Sequence, residues 1–177
     1  HNPDGRLDLV ILTHPRFLQE ANRLAAHRQQ HSNMQVAVVT TTQVYNEFSS
    51  GAQDVTAIRD YMRMLYNRSS KQGDDVLYLL LFGDASYDYK NRLPNNTNFV
   101  PVYQSRQSLH PISSYSSEDY YGFLDAVEGE WAENSTGDHL LDVGIGRLPV
   151  KTTTEAASVV DKIIAYDSPG HFGKWRS

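Results

Sequence analysis

Residues 77–88 read LYLLLFGDASYD, and residues 137–149 read GDHLLDVGIGRLP. The first opens as a near-continuous apolar run, which is how a strand buried on both faces reads, and it leaves through Asp84 and Asp88. The second is entered through Asp138 and Asp142 and closes on Arg147. Upstream, Leu7–Leu12 (LDLVIL) and Gln35–Thr40 (QVAVVT) are two more strand-like runs, the latter rich in β-branched residues. Carboxylates gathered at the ends of buried strands need a cation, a donor network or a chemical task. These acids are therefore where function is sought first.

Helical patterns alternate with the runs. In Pro15–His27, residues Phe17, Leu18, Ala21, Leu24 and Ala25 recur at helical spacing, and Pro15 suits a first turn. Thr42–Phe48 reads as a short helix closed by Gly51. Asp54 caps Val55–Asn67, where Ile58, Met62, Leu65 and Tyr66 share one face. Thr152-Thr153-Thr154-Glu155 is a capping box that opens a helix to Tyr166, with Val159, Val160, Ile163 and Ile164 inward. This order predicts an α/β fold: a three-layer domain with a mainly parallel central sheet flanked by helices. Functional residues in such sheets gather beyond the carboxyl ends of the strands, where His14, Thr41 and Asp84 fall.

Tyr87–Thr136 breaks the rhythm. It is rich in Asn, Ser, Tyr and Pro and too long for an idle connection. Phe99–Tyr103 and Tyr120–Leu124 read as short strands, with a return through Glu130 and Trp131, so a β-hairpin excursion on the sheet edge is expected. Leu141–Ile145 resumes the core as a strand.

With 177 residues, 40% hydrophobic and 21% charged, the chain is long enough for one domain with its own core. A net charge of -5 without a basic run leaves nothing to grip phosphates, so no nucleic acid is expected as a partner. No apolar segment has the length of a membrane span, and no signal-peptide pattern opens the chain. The abrupt ends at His1 and Ser177 suggest a piece of a longer protein. There is no cysteine, so neither a disulfide nor a cysteine nucleophile can come from these residues.

The acids Asp84, Asp125, Asp138 and Asp142 could serve a hard cation such as Ca2+, which takes six to eight oxygens from carboxylates and backbone carbonyls. Asp138-x-Leu140-x-Asp142 puts two carboxylates on one side of an extended segment. Capping, or pairing with Arg147 read as a bridge to a rim acid, would explain any single Asp. Of the histidines, His14, His110 and His139 are the interior candidates, and His14 reads either as a base or as a turn histidine bonded to a backbone carbonyl. Neither a Gly-x-Ser-x-Gly elbow nor a phosphate-binding loop is present.

The motifs LLLFGDASYDYKN, FVPVYQS, SSEDYYGFLD and LDVGIGRLPV, followed by a helix reading EAASVVDKIIAYD, resemble the gingipain-type cysteine peptidases of Bacteroidota. Within them the chain is most similar to the PorU-type sortase subgroup of the type IX secretion system, as is VYNEFSSGAQDVTAIRDYMRMLYNR upstream. The resemblance implies the first, non-catalytic subdomain of a two-part catalytic domain, spanning 1–177, with the His/Cys dyad in a second subdomain that is absent. It implies a role in framing the cleft for protein substrates, at the cell surface or outer membrane on the extracellular side. It also implies a structural calcium held by Asp84, Asp138 and Asp142, the Leu140 carbonyl and Asp125. The chain alone is then expected to be inactive. The alternatives are a stand-alone flavodoxin- or receiver-like binding module, and part of a pseudo-peptidase.

Overall fold

The computed structural model describes residues 7–70, 78–105, 114–125, 128 and 140–168. The elements run β1 (Leu9–Thr13), α1 (Leu18–Ser32), β2 (Val36–Thr40), α2 (Thr41–Phe48), α3 (Val55–Ser70), β3 (Tyr78–Phe82), β4 (Tyr103–Gln104), β5 (Ser116–Ser117), β6 (Gly144–Leu148) and α4 (Thr153–Asp167). Two 3-10 turns, Pro15–Phe17 and Asp119–Tyr121, complete the set.

Four strands form one parallel sheet in the order β2-β1-β3-β6, with Leu9 opposite Val36 and Tyr78, and Tyr78 opposite Gly144. Parallel strands need crossovers; α1 supplies the one from β1 to β2, α2 and α3 the one from β2 to β3, and the segment carrying β4 and β5 leads from β3 to β6. Alternation along the strands decides which face each side chain serves. Val10, Leu12, Leu79 and Leu81 join Val44, Ile58 and Met62 of α2 and α3 in one core. Leu9, Ile11 and Phe82 join Leu24 of α1 and Val160 of α4 in the other. Ile11, Ile58 and Met62 are fully buried, and each contributes about 1.5–3 kcal/mol by leaving water.

Local chemistry fixes the helix starts. Thr40 and Gln43 form a complete capping box at α2. Asp54 accepts from the Thr56 amide at 2.8 Å ahead of α3. At α4 the box is only half made: Thr152 accepts from the Glu155 amide, while Glu155 reaches back to Lys151 rather than to Thr152.

The excursion differs from the expected strands. Its antiparallel pair is only two residues long on each side, Tyr103–Gln104 with Ser116–Ser117. Phe99–Pro101 is not a strand, and the amides of Phe99 and Val100 both donate to the Asp84 carbonyl at 3.0 Å just beyond β3. Tyr120–Leu124 is not a strand. Its aromatic residues are buried from a 3-10 turn, where the Tyr121 hydroxyl donates to the Pro101 carbonyl at 2.7 Å. The return through Glu130 and Trp131 lies outside the described residues. The last core strand starts at Gly144, three residues after the expected Leu141.

Candidate functional site

A parallel sheet brings every carboxyl end to one rim. In the order β2-β1-β3-β6 the connections leave in opposite senses from β1 and β3, and a crevice opens at that switch point. His14 follows β1 and Asp84 follows β3, so the two flank it.

His14 sits in the turn between β1 and α1. Its Nδ1 accepts from the Arg16 amide at 3.1 Å, and its ring meets Phe99 edge-on at 5.1 Å. Burial, then the Arg16 charge, hold its pKa below 6.5, so the ring is neutral at pH 7. With Nδ1 accepting, the ring proton sits on Nε2. His14 thus offers a donor rather than a base, and its partner is a backbone amide instead of the expected carbonyl. The ring lines a polar cavity of about 230 Å³ together with Gln53, Tyr89, Asn91, Asn96, Asn98 and Phe99. Asn98 spends its carbonyl oxygen on the Ser86 amide at 3.1 Å, while its buried Nδ2 has no hydrogen-bond partner among the described residues. Sequence reasoning missed Asn98, because an Asn among many in a polar segment carries no signal.

Asp84 accepts from the Thr97 hydroxyl at 2.6 Å and lies 3.6 Å from the Lys151 ammonium. Next to it a second cavity of about 280 Å³ is lined by Asp84, Tyr87, Glu118 and Arg147, among others. Arg147 donates to both oxygens of Glu118, at 2.6 and 2.9 Å, and to the carbonyls of Gly83 and Val100 at 2.7 and 2.8 Å. The expected bridge from Arg147 to a rim acid is present, and its acid is Glu118.

Asp84 and Asp142, two of the residues expected to share a cation, stand at opposite rims of the sheet. Asp142 precedes β6, whereas Asp84 follows β3, and Gly144 pairs with Tyr78 at the opposite end of the sheet from Asp84. Five paired residues at about 3.3 Å each put roughly 15 Å between the two rims. Ligands of one calcium lie 2.3–2.6 Å from the ion, so Asp84 does not fit a shell that contains Asp142. At the amino-end rim, Asp142 Oδ2 accepts from the Leu124 amide at 2.8 Å, next to the exposed Asp125. Leu140 is 67% exposed. Asp138, His139 and His110 lie outside the described residues.

A family model, peptidase family C25, matches residues 2–177. The chain belongs to peptidase family C25. Among solved structures it is similar to dimeric latent PorU from Porphyromonas gingivalis, with 33% identity and a TM-score of 0.78 over 99% of this chain. It also shares its fold with a structure described as a protease (14% identity, TM-score 0.61, 94% of this chain). The complex of Porphyromonas gingivalis RgpB pro- and mature domains is a third (17%, 0.56, 90%). The chain spans 16% of the PorU chain and 29% of each of the other two. A search of the curated proteins gives no match. The mainly parallel α/β sheet and the gingipain-type resemblance are thus both present as read, and no described helix is long and apolar enough to cross a membrane.

Proposed function

We propose that this chain is the non-catalytic, N-terminal subdomain of a C25 cysteine endopeptidase and frames its substrate cleft. Its partners are a second subdomain, which carries the nucleophile, and protein substrates. The observation that carries this reading is the pair of donors at the switch point. His14 Nε2–H and Asn98 Nδ2, which has no partner among the described residues, line one cavity and suit the carbonyl oxygens of an extended peptide. The sequence of 177 residues offers no thiol. In the whole peptidase, Asn98→Asp keeps the bond from the Ser86 amide and removes the donor. It should raise KM for peptides with little change in kcat; an unaltered KM overturns the cleft reading. The 177-residue chain alone should hydrolyse no peptide, and hydrolysis by purified material would overturn the assignment as non-catalytic.

The 33% identity to PorU supports the finer reading: a sortase of type IX secretion, acting at the outer membrane on the extracellular side. Protease shaving of intact cells that removes the domain supports that location, and full protection ends it. Calcium is proposed only for Asp125, Leu140 and Asp142, joined by Asp138 close to them in sequence, supported by the Leu124–Asp142 bond that holds two of these segments together. A melting temperature that rises in calcium, keeps that response in Asp84→Asn and loses it in Asp142→Asn supports this. Equal melting temperatures in calcium and EGTA end it.

A further inference from the structure

His27 and His31 stand one turn apart near the end of α1, and their rings stack at 5.3 Å with 17° between planes. Asp167, the last residue of α4, brings a carboxylate oxygen to 2.8 Å from His27 Nε2. One nitrogen from each ring and one Asp167 oxygen all lie within 4.8 Å of one another, the only such triplet of His, Cys, Asp or Glu among the described residues. Arg23 meets Asp161 while His27 and Arg28 meet Asp167, so α1 and α4 run parallel. Their carboxyl ends therefore converge on this spot, and both helix dipoles favour a positive charge there. It lies at the amino-end rim of the sheet, away from His14 and Asp84.

We propose that His27, His31 and Asp167 form a site for a divalent transition metal of the zinc class, which clamps the last turn of α4 onto α1. Two imidazoles and one carboxylate, with water in the fourth position, are a donor set that zinc takes at about 2.0–2.2 Å. Calcium and magnesium prefer oxygen ligands throughout. Tetrahedral ligands at that radius stand about 3.3 Å apart, so the His27–Asp167 gap of 2.8 Å opens by about 0.5 Å. His27 would bind through Nε2 as the imidazole whose ring proton sits on Nδ1. His31 Nδ1 lies 3.5 Å from the Ser32 hydroxyl, which leaves Nε2 as its ligand atom. Arg28 donates to Asp167 Oδ2 at 2.8 Å, the same oxygen that faces His27, and once the ring proton has left, the lone pair that took it is open to the ion. Arg28 then orients the carboxylate from outside the shell.

The rival is a plain ion-pair seam in which Asp167 serves His27 and Arg28 alone. His31 separates the two, because the seam does not use it and its exposed ring can be removed without harm to the core. The test is titration of tag-free full chain with Co2+ at neutral pH, followed by displacement with Zn2+. Expected are a visible absorption band at one equivalent, its loss on adding Zn2+, and a higher melting temperature in Zn2+. His31→Ala and Asp167→Asn should each weaken binding at least about tenfold, and His171→Ala should not. No band and no Zn2+-dependent melting shift, or binding that His31→Ala leaves intact, would overturn the site.

Discussion

Arg147 and Glu118 meet fork to fork, with Nε and Nη2 of the guanidinium 2.6 and 2.9 Å from the two carboxylate oxygens. The remaining donors reach the Gly83, Val100 and Pro101 carbonyls, so one side chain on β6 ties together the exit of β3, the segment before β4 and the turn after β5. Only a guanidinium has that many donors in a fixed plane. With the Arg147 side chain 11% exposed, Arg147→Ala should cost about 3–5 kcal/mol in urea denaturation, because it orphans an acid and several carbonyls. Arg147→Lys keeps the charge but loses the fork, and should cost about 1–3 kcal/mol. A lysine variant as stable as the parent would contradict this account.

Gly83 has φ of +148°, and a Cβ there would stand 3.0 Å from Val100 Cγ2 and 3.2 Å from Phe99 Cβ. The kink lets Asp84 turn across the end of the sheet while its carbonyl takes two amides. Gly83→Ala should therefore destabilise by about 1–3 kcal/mol through backbone strain and crowding. Thermal melting measures it, and an unchanged midpoint would show that the turn can relax.

Tyr45 packs against the core of α2 and α3, and its buried hydroxyl has no hydrogen-bond partner among the described residues. Burial first, and then Asp54, raise its pKa. Removing a buried unpaired hydroxyl should help rather than harm, so Tyr45→Phe is expected to stabilise by about 1 kcal/mol. Destabilisation in urea would show that the hydroxyl has a partner after all.

Asp167 has its pKa held below the ordinary 3.8, chiefly by the hydrogen bond from His27 and then by Arg28. A carboxyl depressed in the folded state binds fewer protons than in the unfolded chain. Its stabilisation is complete above about pH 4 and fades as pH falls through the lower folded value. Urea midpoints of the parent and of Asp167→Asn should thus differ at about pH 4 without added metal, and the gap should narrow steadily as pH falls further below the ordinary carboxylate value. A gap that widens as pH falls below about 4 would refute the linkage.

Much of the layout was legible because each central strand is an apolar run between polar breaks: Leu9–Thr13, Val36–Thr40 and Tyr78–Phe82 lie within a residue or two of the runs that predict them. Tyr120–Leu124 looked like a strand because aromatic residues favour strands, but its rings are buried from a turn by tertiary packing that periodicity does not encode. The separation of Asp84 from Asp142 was readable in principle. One acid leaves its strand and the other enters its own, and in a parallel sheet those are opposite rims. The approach of Asp167 to His27 was not readable, because it depends on α1 and α4 lying side by side.

The sheet also acts as a partition. Ile11 and Leu12 are neighbours in sequence yet belong to separate cores, one walled by α1 and α4 and the other by α2 and α3. Substitutions on opposite faces share few partners, so their effects should nearly add. Each compartment can accumulate and compensate changes without the other following. That freedom gives a physical reason why proteins at 14% and 17% identity still carry this fold: drift has to be reconciled within a half of the molecule, never across the whole of it at once.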